Sequence, residues 1–185
     1  MPKITPKPMN TKRYLFWAGL LPLIVVALDQ WSKHWALKFF ATKFGSPMNV
    51  CAVNPQPGLR WEVTQGFDLA MVCNQGVSWG LLGGESDIKR WGLSIFALLM
   101  TAGMLYFLYK TKDWLTALAL SLIIGGSIGN VIDRIRFGSV VDFLDFGDIG
   151  FHWVFNVADA AISVGVGVLL LASFLVKDEE KPNTG

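Results

Sequence analysis

Apolar residues in this chain gather into long blocks instead of recurring at a helical or strand period. Four blocks are long enough to cross a ~30 Å hydrocarbon core as helices of roughly 20 residues. They run from Tyr14 to about Lys33, from Trp91 to Tyr109, from about Leu115 to Ile132 and from about Phe155 to Val176. Lys12 and Arg13 precede the first block in the manner of a signal peptide. No small-x-small cleavage site follows it, so the block is expected to be retained. Pro22 interrupts this helix, which a bundle tolerates when a neighbour or water satisfies the freed carbonyl.

The remaining sequence falls into two longer segments, about 34–90 and 133–154. The first contains Pro47, Pro55 and Pro57 and two strand-like runs, GLRWEVTQG and FDLAMVCN. The second carries GSVVDFLDFGDIGFHWVF, again aromatic and β-branched. A small sheet lying on one membrane face would account for both, with its rings in the interfacial zone. The tails, 1–12 and 178–185, read as disordered. The expected fold is a single integral membrane domain: an all-α bundle of four transmembrane helices with a small β-rich periplasmic element. Lys3, Lys7, Lys12 and Arg13 flank the first helix, Lys110 and Lys112 fill the short second connection, and Lys177 and Lys181 follow the fourth helix. By the positive-inside rule both termini are cytoplasmic and both long segments lie outside.

Composition then narrows the chemistry. Over 185 residues the formal charge is only +2 and no basic stripe interleaves with aromatics, which speaks against nucleic acid as a partner. Cys51 and Cys73 lack metal-ligand spacing; two unpaired, partly buried thiols are the preferred reading over a bridge between them. With two histidines, His34 and His152, and neither HExxH nor a Cys/His cluster, a zinc site lacks ligands. No GxSxG elbow is present. No metal or organic cofactor is expected, and carboxylates remain.

A charged carboxylate at bilayer depth costs roughly 2.5–3.5 kcal/mol even on lenient insertion scales, so the polar residues inside the blocks need a reason. Asp29 and Lys33 are four apart with the acid first, the favourable order for an ion pair, and a purely structural pair is the simpler reading. In GGSIGNVIDR, Gly125 and Gly129 form a small-x-x-x-small pattern, and Asn130 and Arg134 share a face one turn apart. Asp133 reads as a structural brace beside Arg134. Asn156, Asp159, Ser163 and Gly167 fall on one stripe expected to face the bundle interior. The second helix offers no ionisable side chain between Trp91 and Tyr109 and reads as scaffold. The charge therefore clusters near one end of the first, third and fourth helices.

Two carboxylates brought together can share a proton, since like-charge repulsion opposes ionising both. The ionised one can take a proton from water while the neutral one polarises a carbonyl, which is metal-free peptide hydrolysis. Asp159 and Asp142 are the chosen pair, Asp142 because VVDF sets a bare acid on an apolar strand-like turn. Asp145 and Asp148, among glycines, are expected to face water. Asn74 alone looks like an ordinary turn residue. The alternative from another class is a small proton-coupled transporter, with Asp29, Asp159 and Arg134 as a relay. A relay needs groups at several depths, and here they stop at one end.

Four stretches together resemble the bacterial lipoprotein signal peptidases, or signal peptidase II: DQWSK at Asp29–Lys33, NQGVSWG at Asn74–Gly80, GGSIGNVIDRIRFGSVVDF at Gly125–Phe143 and FNVADAAIS at Phe155–Ser163. The resemblance spans nearly the whole chain between its tails. It implies an aspartic endopeptidase of the bacterial inner membrane, a monomer embedded among membrane lipids, that cuts lipid-modified prolipoproteins just before the lipidated cysteine. It further implies Asp142 and Asp159 as the catalytic pair, Asn130, Arg134 and Asn156 lining the site, Asp29, Lys33 and Asn74 in the surrounding shell, and sensitivity to the cyclic peptide globomycin. Trp79 departs from the phenylalanine usual in the family, and the segment around VCAVNPQPGLRWE is longer than expected.

Overall fold

The computed structural model describes residues 11–54, 57–76, 87–111 and 113–175. In chain order they form α1 (Thr11–Phe44), α2 (Val50–Val53), β1 (Leu59–Thr64), β2 (Phe67–Asn74), α3 (Asp87–Lys110), α4 (Trp114–Phe137), β3 (Val140–Phe146), β4 (Phe151–Phe155) and α5 (Val157–Leu175). Among the described residues, three helical stretches are long and apolar enough to cross a membrane: Arg90–Lys110, Trp114–Phe137 and Val157–Leu175. α3 turns Phe96, Leu99 and Phe107 outward, as a lipid-facing helix would.

α4 is the central post, packing against α1, α3 and α5. Small residues permit the close approach. A Cβ on Gly125 would lie 2.7 Å from Val25 Cβ of α1, and one on Gly126 would strike the Ala158 carbonyl of α5. The seam of α5 is Ala158, Gly165 and Ala172, all buried, whereas Ser163 and Gly167 are exposed. The expected polar stripe therefore ends after its first turn; small residues at seven-residue steps, and not hydroxyls, face α4. Pro22 lies within a continuous α1. It leaves the Ala18 carbonyl without its helical donor, and Ser121 Oγ of α4 approaches that oxygen at 3.4 Å.

The helices overrun their expected ends. α1 has 34 residues, about 51 Å at 1.5 Å per residue, so it continues well beyond Lys33. Thr11 and Lys12 already belong to it and not to a tail. α4 likewise reaches Phe137, which puts Asp133 and Arg134 on the helix and not in an outer segment. The expected spans end at Lys33 and just before Asp133. Both are buried and neutralised inside the bundle, so neither charge ends its helix. α4 stops instead at Gly138, whose φ of 80° suits glycine and whose N–H returns to the Arg134 carbonyl at 3.0 Å. Arg90 adds donors to the last turn, Nε to Arg134 O at 2.7 Å and Nη2 to Ile135 O.

The C-terminal part of α1 supports the sheet. The four strands form one antiparallel sheet in the order β1-β2-β3-β4. Leu69, Met71, Val141 and Phe143 pack on Ala36, Leu37 and Phe40 of α1. Cys51 and Cys73 are joined as a disulfide within this core, with Cα atoms 5.2 Å apart, and are not the free thiols expected. Positions 51 and 73 lie on a short helix and a strand that meet in the core between α1 and the sheet, a proximity that spacing in sequence does not encode. Asp145 does not face water. It is buried, and Arg60 Nη2 of β1 meets its Oδ2 at 2.6 Å; Asp148 is exposed as expected.

Candidate active site

Alternation along β3 buries Val141 and Phe143 in the sheet core and turns Asp142 to the opposite face, toward the bundle. Asp142 is only 1% exposed. Its Oδ1 accepts from Asn156 Nδ2 at 2.6 Å and its Oδ2 from Asn74 Nδ2 at 3.0 Å. Asn74 Oδ1 is itself engaged by the Gly76 N–H at 2.9 Å, which leaves its NH2 for Asp142. Burial, and then the nearby charge of Asp159, pushes the Asp142 carboxyl up to about 7, against the opposing pull of the bonds from Asn74 and Asn156.

Asp159 arrives from α5. Asn156 caps that helix by accepting from the Asp159 N–H at 2.9 Å, and Asp159 Oδ2 reaches back to the Asn156 N–H at 3.3 Å. This reciprocal capping box sets the direction of the Asp159 side chain. Its other oxygen accepts from Asn130 Nδ2 of α4 at 2.8 Å. Asn156 therefore contacts both acids. Asp159 is more open than Asp142, with intermediate exposure, so the pair is dry on one side and accessible on the other.

Behind the acids lies a buried ion cluster. Lys33 Nζ meets Asp29 Oδ2 at 2.9 Å, Asp133 Oδ2 at 2.8 Å and Asn130 Oδ1 at 3.0 Å, three acceptors for its three protons. Gln30 Nε2 lies 3.1 Å from Asp29 Oδ2 and 3.0 Å from Asp133 Oδ1. Gly129 sits directly beneath, where a Cβ would fall 2.5 Å from Asp29 Oδ2. Arg134 stands near enough for its charge to act on both Asp159 and Asp142, and its Nε is buried with no hydrogen-bond partner among the described residues.

Residues 21–175 match the family model described as Signal peptidase (SPase) II. This chain belongs to the signal peptidase II family. It is 41% identical over 164 residues to a lipoprotein signal peptidase of Caulobacter vibrioides, covering 88% of this chain and 89% of that one. It is 43% identical over 161 residues to one of Rhizorhabdus wittichii, covering 86% of each. A solved bacterial membrane enzyme superposes with a TM-score of 0.69 at 25% identity, covering 98% of this chain and 99% of the other.

The site residues expected from sequence thus lie along the middle of α1, near the C-terminal end of α4, at the N-terminal end of α5 and on the facing strands. Trp79 and the rest of its motif after Gly76 lie outside the described residues. Sequence reasoning missed Gln30. Its position beside Asp29, directly after the apolar run Leu20–Leu28, was the available signal. Lys33 pairs with Asp133 as well as Asp29, a partner 100 positions away that helical spacing cannot reveal.

Proposed function

We propose that this signal peptidase II removes signal peptides from lipid-modified prolipoproteins, cutting before the lipidated cysteine with Asp142 and Asp159 as its catalytic pair. The observation that carries the reading is Asn156, which hydrogen-bonds Asp142 and Asp159 at once. A carboxyl raised to about 7 is neutral often enough to donate, so Asp142 polarises the scissile carbonyl. Asp159, more exposed and accepting from Asn130 Nδ2 and the Asn156 main-chain N–H, takes the proton from an attacking water. The tetrahedral centre collapses as that proton passes to the leaving amine and the C–N bond breaks. The unpaired Nε of Arg134 suits a substrate carbonyl.

In this reading α1 is the fourth membrane span, both termini are cytoplasmic, and the sheet lies on the periplasmic surface of the inner membrane, one domain throughout. Lys110 in the last turn of α3, at the end of the bundle away from the site, supports that orientation. The protein acts as a monomer among membrane lipids, needs no metal, and binds globomycin where the peptide would lie. The transporter alternative has no support, since the polar cluster lies at one end of the bundle.

Asp142→Asn and Asp159→Asn should each give folded protein that cleaves a lipidated prolipoprotein at least roughly 10³-fold more slowly than the native enzyme. Near-native turnover by either variant removes that residue from the pair.

A further inference from the structure

The ion cluster around Lys33 does more than neutralise itself. Asp29 Oδ1 accepts from the main-chain N–H of Ala158 at 3.0 Å, and Asp133 Oδ2 accepts from the main-chain N–H of Val141 at 3.1 Å. Ala158 immediately precedes Asp159, and Val141 immediately precedes Asp142. The two carboxylates are tied to each other by one ammonium and by Gln30. We propose that Asp29 and Asp133, joined through Lys33, are positioning residues that fix the spacing of the two catalytic aspartates by gripping the main-chain N–H directly before each.

The inference rests on the reading of Asp142 and Asp159 as the catalytic pair. Its force comes from where the two acids originate. One sits on a strand of the sheet and the other on the first turn of a membrane helix, and few links join those elements. Each grip acts at the peptide bond nearest the acid it serves. The Ala158 N–H is in the first turn of α5, where no intrahelical carbonyl is available, so Asp29 is its acceptor and not a competitor. Val141 is turned to the bundle with both main-chain groups, its N–H to Asp133 and its carbonyl to Asn156 Nδ2 at 3.3 Å. The cluster is dry, with Asp29 and Asp133 fully buried and Lys33 2% exposed, so solvent does not compete for these bonds.

The clean test leaves all three charged side chains in place. Replacing Ala158 by lactic acid, or Val141 by 2-hydroxyisovaleric acid, exchanges one main-chain N–H for an ester oxygen in the full-length membrane enzyme. Neither change leaves Lys33 unpaired. Each ester should lower kcat on a lipidated prolipoprotein peptide roughly 10- to 100-fold, the scale of a small misplacement of reacting groups, with KM within about threefold. A lactic acid ester at Ala172, far along α5, is the control for loss of one helical bond and should leave kcat within about twofold. Native kcat in the Ala158 and Val141 esters, a loss confined to KM, or an equal loss at Ala172 overturns the proposal. Asp142→Asn and Asp159→Asn run in the same assay: if they are inert while the esters are normal, only the grip fails, whereas turnover by either refutes the pair itself.

Discussion

Two places in this molecule set one cation between two aspartates, and they differ in almost everything else. In the bundle, Lys33 holds Asp29 and Asp133 with side chains 2%, 0% and 1% exposed. On the sheet, Arg60 holds Asp68 and Asp145 at 2.6 Å each, but its own side chain is 53% exposed. The bonds on the sheet are the shorter. Distance is therefore a poor guide to what each cluster contributes. In the bundle, desolvation is already complete, so losing one partner leaves buried charge with nowhere to go. On the sheet only the cation is open to water; the two carboxylates beneath it are 8% and 7% exposed, and removing the guanidinium uncovers them to solvent.

The largest effect should come from cutting the buried cluster at its centre. Lys33→Met leaves two buried carboxylates facing each other and should cost about 3–5 kcal/mol, read as a fall in thermal unfolding temperature in detergent. Neutralising all three members together, with Lys33→Met, Asp29→Asn and Asp133→Asn, should cost less than Lys33→Met alone, because no unpaired charge remains while an amide oxygen is kept for each main-chain N–H. If the triple variant is the less stable of the two, the cluster stabilises by its charge and not by completing its own pairing. Arg60→Ala, which opens Asp68 and Asp145 to water, should cost less than Lys33→Met, and high salt should shrink its effect while leaving the Lys33→Met penalty unchanged.

The same contrast explains how much could be read before the fold was known. Long apolar runs reveal spans because lipid demands them, and the Asp29–Lys33 pair is legible because helical spacing alone brings those residues together. Charge was misleading as a boundary marker. Lys33 and Asp133 looked like helix ends, yet each is the other's partner across two helices, and both helices continue. Asp145 sits among glycines and reads as solvated, whereas its partner, Arg60, is 85 positions earlier on another strand. The Cys51–Cys73 bridge could not be read from spacing for the same reason: the two meet only in the folded core between α1 and the sheet. The chemistry of Asp142 and Asp159 was proposed from their placement in apolar surroundings, but the asparagine that touches both needed the fold.

The smallest effect is the most informative about the site. Asp142 is raised from 3.8 to about 7 by burial first and by Asp159 second, so the folded protein holds its proton more tightly than the unfolded chain does. Its contribution to stability is fully present below pH 3.8 and is lost as pH rises through about 7. If the neutral form of Asp142 polarises the carbonyl, kcat/KM should fall on the alkaline side with an apparent pKa near 7 that belongs to the pair. The hydrogen bond from Asn74 favours the ionised form and pulls this value down. Asn74→Leu, which removes the donor at similar size, should therefore move the alkaline limb to higher pH while lowering the plateau less than roughly tenfold. Asn74 is the better lever than Asn156 because it touches Asp142 and leaves the Asp159 capping box intact. A limb that stays in place or moves to lower pH would assign the neutral role to Asp159 and the proton-accepting role to Asp142.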